Sequence, residues 1–315
     1  MAIGGIVAIA AAAPNSIPGP ATANRPAVRV DPPDPLGPRV GDCPVFPVDN
    51  PWNQNIAQAP LHPDSAAIIA RIQATGGDNL HPDFGENPSY GIPYVVVPAS
   101  QANVPITYDA YGDESDPGPF PIPLNAPVEG GSDRHIIVVQ NGTCQLFELF
   151  VGRRSGNGWV AASGAKFDLH SNALRPLGWT SADAAGLPIF PGLVRADEVA
   201  AGAINHAIRV TFAQTRKGYI LPATHAASSV TRADAPPMGL RLRLKASYDI
   251  SALTGQARVI AEAMKTYGLI VADNGSNWYF QGAPSPQWND DDLNQLKAVP
   301  GTAFEVVDTG PFIAG

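Results

Sequence analysis

The chain has 315 residues, enough for one large domain or two ordinary ones, and its 44% hydrophobic content excludes a disordered protein. Only 15% of residues are charged, while 31 glycines and 33 prolines together exceed a fifth of the chain, a mix that favours short strands and rigid turns over long charged helices. The net charge of −8, with no run of Lys or Arg, argues against a nucleic-acid partner, whose phosphates call for a basic stripe.

Met1 to Ala13 is almost wholly apolar and then gives way to Pro14 and Asn15. It is too short to span a bilayer and reads as the h-region of a signal peptide, without its basic start, so residues 1–23 are assigned to that peptide. Eight prolines fall between residues 14 and 42 with few large apolar groups, so residues 24–42 are read as an extended linker. Apolar content returns at Val45, Phe46, Val48 and Trp52, and a single β-rich domain is expected over residues 43–315. No other segment approaches 18 apolar residues, so the mature protein is expected to be secreted, soluble and not membrane-embedded. Cys43 and Cys144, with no CxxC spacing or histidine cluster beside them, are expected to form the disulfide of an exported protein.

Residues 64–74 carry Ile68, Ile69 and Ile72 at helical spacing behind Asp64 and Ser65, and Gly76-Gly77 ends the run. Strands are expected at residues 94–97, 104–108, 136–139, 145–151, 158–162 and 166–169, with hairpin turns at Asn141-Gly142 and at residues 156–158. Thr180 to Asp183, ahead of Gly186, reads as a short capped helical turn. Further strands follow at residues 207–212, 218–221 and 240–246, then a helix over 255–267 stopped by Gly268. Residues 269–272 and 277–280 are expected to form a hairpin around Asp273-Asn274-Gly275, and residues 290–298 a short helix with acidic caps. Strands without regularly alternating helices point to a mostly β protein, a β-sandwich or jelly roll decorated with a few short α-helices.

The stretches Asp133-Arg-His135, Phe167-Asp-Leu169, Leu174-Arg-Pro176, Gly178 to Asp183, Pro236 to Gly239 and Ala272 to Trp278 resemble a group of exported bacterial proteins, actinobacterial in type, of unassigned activity. The resemblance runs over roughly residues 43–310. It implies export and a single domain, and it carries no catalytic residues.

The familiar signatures are missing: no GxGxxG opens a helix, and there is no Walker loop, HExxH, EF-hand spacing or GxSxG elbow. What remains is carboxylate or histidine chemistry, or none. Glu148 lies in the otherwise apolar strand Leu146-Phe-Glu-Leu-Phe150, where desolvation would raise its pKa and suit it to general-acid work. The bland alternative is a structural ion pair with Arg153, Arg154 or another arginine. Asp168 is the natural second carboxylate, brought beside Glu148 by a hairpin near residue 157, as glycosidases require two acids across a cleft. His135, His170 and His206 are placed as flanking catalytic groups. Read together they could instead hold a metal, although no tight ligand spacing supports one and no cofactor is predicted. A His base with Tyr219 or Tyr279 could also drive lyase-type β-elimination. Asp273, Asn274, Asn277, Trp278 and Tyr279 combine short polar groups with two aromatics, the composition of a sugar-binding surface; a hairpin turn with Trp278 in the core has the same composition. The leading expectation is a secreted glycoside hydrolase acting on an extracellular polysaccharide. The alternative is a non-catalytic exported module that binds glycan or cell-wall material.

Overall fold

β-Branched and aromatic runs punctuated by Gly and Pro produce short strands, and the chain is mostly β, in several small sheets with few short helices. The computed structural model describes residues 37–315, so the expected signal peptide and residues 24–36 of the expected linker lie outside the described residues. The last residues assigned to the linker belong to the fold. Arg39–Val40 pairs with Cys43–Pro44, and the Val40 side chain is buried in the core.

A four-stranded sheet has the order Ser163–Asp168, Gln145–Phe150, Ile136–Gln140, Tyr94–Val97. A six-stranded sheet has the order Phe304–Val307, Arg241–Leu244, Leu269–Asn274, Ile208–Phe212, Tyr279–Gln281, His81–Asp83. Alternation of side chains along each strand divides the four-stranded sheet into two apolar faces. Ile137, Val139, Leu146 and Phe167 join Val210, Phe212, Leu269 and Phe280 of the larger sheet in the main core. Ile136, Val138, Phe147 and Leu149 turn the other way and pack with Trp159 and Ala161 from a three-stranded sheet. The layers therefore stack as in a sandwich. Tyr94–Val97 runs parallel to Ile136–Gln140, and Ile208–Phe212 parallel to Leu269–Asn274, so the strand order does not trace the antiparallel keys of a jelly roll.

The helices fall where their apolar spacing places them. Ser65–Gln73 buries Ile68, Ile69 and Ile72, and Gly255–Thr266 buries Ala257, Ile260, Ala261 and Met264. Cys43 and Cys144 are joined by a disulfide of 2.08 Å that ties the start of the fold to the Asn141-Gly142 turn.

Two local expectations fail. Residues 269–280 do not form a hairpin: Ile208–Phe212 inserts between the two strands, parallel to one and antiparallel to the other. All five residues of that inserted strand are buried, so it needs hydrogen-bonding neighbours on both edges, and residues 275–278 cross over its end instead of turning tightly. Residues 180–186 are bends and turns without a helix. There the Asp183 N–H donates to Ser181 Oγ, and Gly186 takes a φ of +70° with the Thr224 hydroxyl and the Trp179 carbonyl in the space a Cβ would need.

Candidate functional site

The expected acid pair is not formed. Gln145–Phe150 and Ser163–Asp168 are antiparallel neighbours, with Glu148 opposite Ala165 and Asp168 opposite Gln145. Directly opposed residues share a face, whereas Glu148 and Gln145 are an odd number of positions apart, so Glu148 and Asp168 point to opposite faces. Glu148 turns into the main core, and Asp168 lies on the face where Lys166 covers Phe147. The turn at residues 156–158 links Arg153–Ser155 to Gly158–Ala161 in a different sheet.

Glu148 is fully buried and makes no ion pair with Arg or Lys among the described residues; Arg153 pairs with Asp109 instead. Its carboxylate accepts the backbone N–H groups of Ile189 (3.0 and 2.9 Å) and Phe190 (2.9 Å). Burial pushes its pKa to about 7, the two backbone donors pull against that, and the nearby charge of Asp183 adds to the rise. It clamps the 189–190 turn to the sheet, and no substrate reaches it.

The three histidines stand in different surroundings. His135 is buried, with Nδ1 2.6 Å from Glu129 and Nε2 3.0 Å from the Ala182 carbonyl. His206 is buried against Glu198, and His170 is exposed 3.5 Å from Asp168. Among the described residues no three His, Cys, Asp or Glu side chains are grouped to hold a metal ion.

The expected sugar-binding set also divides. Trp278 is a core residue with no exposed surface: it packs on Phe212 and Phe304 and donates Nε1–H to Gln73 at 2.7 Å. Asn277 is buried, accepting from Ala213 N–H and donating to the Ile72 carbonyl. Asn274 accepts from Thr215 and donates to the Ala227 carbonyl. These three residues hold the crossover in place. Tyr279 is half-buried and stacked on His81, with ring centroids 4.0 Å apart.

Asp273 belongs to a cluster that sequence reasoning found only in part. At its centre is Arg209, carried by the inserted strand with its side chain 4% exposed. Its Nε and Nη2 donate to the fully buried Asp183 at 3.1 and 2.8 Å, and Nη2 lies 3.7 Å from Asp273. Register puts Arg209, Thr211, Tyr279, Gln281, His81 and Asp83 on one face of the six-stranded sheet. Glu129 and His135 approach from the loop that enters the four-stranded sheet. That loop packs so closely on residues 87–91 that a Cβ at Gly130 would lie 2.6 Å from the Ser89 carbonyl.

Five carboxyl groups (Asp83, Glu129, Glu148, Asp183 and Asp273) thus surround two cations, Arg209 and His135. Asp183 takes Arg209 and Glu129 takes His135, which leaves three carboxyl groups with no cation of their own. Burial, then the like charge of Asp183, pushes Asp273 up to about 7, against the pull of Arg209. Burial, together with the charge of Glu129, raises Asp83 as well. Glu129 goes the other way: burial opposes its ionisation, but the hydrogen bond and charge of His135 hold it below the usual carboxylate range. His135 is raised in turn, its own burial more than offset by Glu129. The cluster meets solvent at Glu129 (19% exposed), Asp273 (24%) and the half-buried Asp83. Beside Asp83 lies Gln281, 6% exposed, whose Oε1 has no hydrogen-bond partner.

A groove lined by Pro93, Tyr94, Pro284 and Gln287, and a small recess under Phe46 and Trp52, contain none of these carboxyl groups. Arg209 was legible as the one charge in Ile208-Arg-Val-Thr-Phe212, an apolar run. Glu129 and Asp183 lie in loops, and Asp83 ends a three-residue strand; no periodicity marks any of them. No protein-family model, no curated protein and no solved structure matches the chain.

Proposed function

We propose that the protein is an exported glycoside hydrolase acting on an extracellular polysaccharide, with Asp273 and Glu129 as its working carboxyl groups in place of Glu148 and Asp168. One observation carries this reading. Two solvent-touching carboxyl groups around one guanidinium have their acidities displaced in opposite directions, Asp273 upward to about 7 and Glu129 downward. Environments that push two carboxyl groups apart in this way divide the roles of acid and base between them.

In this reading Asp273 gives its proton to the glycosidic oxygen as the C–O bond breaks. Glu129, kept ionised by His135, either takes a proton from the attacking water or bonds to the sugar carbon until water displaces it. Arg209 positions Asp183 and Asp273, and the Tyr279–His81 ring pair lies along the same sheet face for sugar contact. The Cys43–Cys144 disulfide fits an oxidising compartment, and export is part of the proposal.

The test is reducing-end release from a panel of polysaccharides by wild type, Asp273→Asn and Glu129→Gln. Each substitution is expected to lower turnover by at least ~100-fold, the usual yield of a positioned acid or base, without loss of cooperative thermal unfolding. Either variant turning over like wild type would refute the assignment. Binding of a glycan by wild type without any cleavage would replace the hydrolase with a glycan-binding module.

A further inference from the structure

We infer that Arg209 contacts the substrate directly, its Nη1–H donating to a sugar oxygen beside the glycosidic oxygen that Asp273 protonates. The inference rests on the reading of the carboxyl cluster as a glycan site, and adds to that reading the group that grips the sugar.

A guanidinium offers five N–H donors in one rigid plane. Arg209 uses two of its three nitrogens on Asp183: Nε donates at 3.1 Å and Nη2 at 2.8 Å. Nη1 has no hydrogen-bond partner among the described residues, and it is not one of the unpartnered atoms closed off from solvent. The side chain is 4% exposed, and Nη1 holds part of that small surface. The other buried arginines among the described residues differ. Arg175 gives Nε, Nη1 and Nη2 to Thr180, Asp116 and Glu114. In Arg195 and Arg241 the unpartnered Nε and Nη1 are both enclosed. Burial holds the Arg209 guanidinium in place, and its one unengaged nitrogen reaches solvent as a charged donor. Such a donor suits an oxygen of a ligand, because exchanging water for that oxygen costs it no hydrogen bond.

Asp273 fixes where that oxygen lies. Its Oδ1 accepts the Asn274 N–H at 2.7 Å, while its Oδ2 accepts from no donor among the described residues and lies 3.7 Å from Arg209 Nη2. That distance is too long for a hydrogen bond, so Oδ2 is the oxygen available to carry the proton given to the glycosidic oxygen. Nη1 and Nη2 share one carbon, so Nη1–H and Asp273 Oδ2 stand within a sugar ring's width of each other. Two donors at that spacing match two neighbouring oxygens of a glycoside: the glycosidic oxygen and a hydroxyl or ring oxygen next to it. Nearby donors are engaged elsewhere. His135 has Glu129 and the Ala182 carbonyl on its two ring nitrogens, and the Thr211 hydroxyl donates to the Ser276 carbonyl.

Arg209→Lys tests the inference, because lysine keeps a cation beside Asp183 and removes Nη1. With xylohexaose, cellohexaose and chitohexaose as probes, the substitution should weaken calorimetric binding, or raise KM, at least ~10-fold, the loss of one hydrogen bond to a charged group. The limb of the pH profile set by Asp273 should stay near that of wild type, since the neighbouring charge is kept. Thermal unfolding checks that the variant folds. A second measurement needs no substitution: the structure of wild type with a bound hexamer should place a sugar oxygen about 3 Å from Nη1. A hexamer bound with no oxygen on Nη1, or a folded Arg209→Lys that binds as tightly as wild type, would overturn the inference and leave the hydrolase standing. A hexamer held on Nη1 but never cut would overturn the hydrolase alone. No binding of any probe would overturn both.

Discussion

Glu148→Gln isolates the energetic consequence of burying one carboxyl group without a cation. The substitution keeps the shape and keeps an oxygen to accept the Ile189 and Phe190 N–H groups, but it removes the titration. In the folded protein Glu148 ionises near pH 7, against a usual value of 4.5. A raised carboxyl group contributes stability that is fully present below the unfolded value and is lost as pH rises through the folded one. At 1.36 kcal/mol per pH unit, the rise from 4.5 to about 7 amounts to roughly 3 kcal/mol lost between pH 4.5 and pH 8. Asp273 and His135, both raised, slope the same way, while Glu129 and Glu198, both held low, slope the opposite way. The difference between wild type and Glu148→Gln cancels those other groups. Urea unfolding of both proteins from pH 4.5 to pH 8.5, with the disulfide intact, should show Gln neutral or destabilising in acid and stabilising in base. The two curves should cross or converge by about 3 kcal/mol over that range. Parallel curves would mean that Glu148 titrates normally and would refute uncompensated burial as the source of its raised pKa.

Reduction of the Cys43–Cys144 bridge, whose partners are 101 residues apart, should cost about 4–5 kcal/mol by the chain-entropy model, read as a lower urea midpoint in reductant. An unchanged midpoint would refute that account. Trp278→Ala should destabilise by roughly 3–5 kcal/mol as a core cavity, since Gly301 presses directly on its indole; a surface platform would cost less than about 1. Arg209→Met strands the fully buried Asp183 and should cost roughly 3–5 kcal/mol in denaturant unfolding, whereas Asp183→Asn with Arg209→Met should recover part of the loss. Asp168→Asn and His170→Ala, both at exposed positions, should stay within about 0.5 kcal/mol of wild type and leave turnover unchanged.

Local chemistry was enough to read much of the fold. Three isoleucines at helical spacing announce the Ser65–Gln73 helix, and Leu146-Phe-Glu-Leu-Phe150 announces a strand buried on both faces. Two isolated cysteines with no metal-ligand spacing beside them announce the disulfide. These are short-range properties, set by periodicity and by the absence of competing ligands. The unusual carboxyl at Glu148 was legible for the same reason, as one charge in an apolar run. Its partner was not, because which face a residue takes depends on register against a neighbouring strand, and one position of offset moves Asp168 to the opposite side. Asp273-Asn274-Gly275 has ideal hairpin chemistry, yet an inserted strand from sixty residues earlier parts the two sides of the turn. That insertion delivers Arg209 to the sheet centre, and around it gather Asp83, Glu129, Asp183 and Asp273 from four separate regions of the chain. Each of these carboxyl groups is ordinary in its own segment. Only tertiary packing, by gathering these four with Glu148 around Arg209 and His135, gives some of them altered acidities and a shared site.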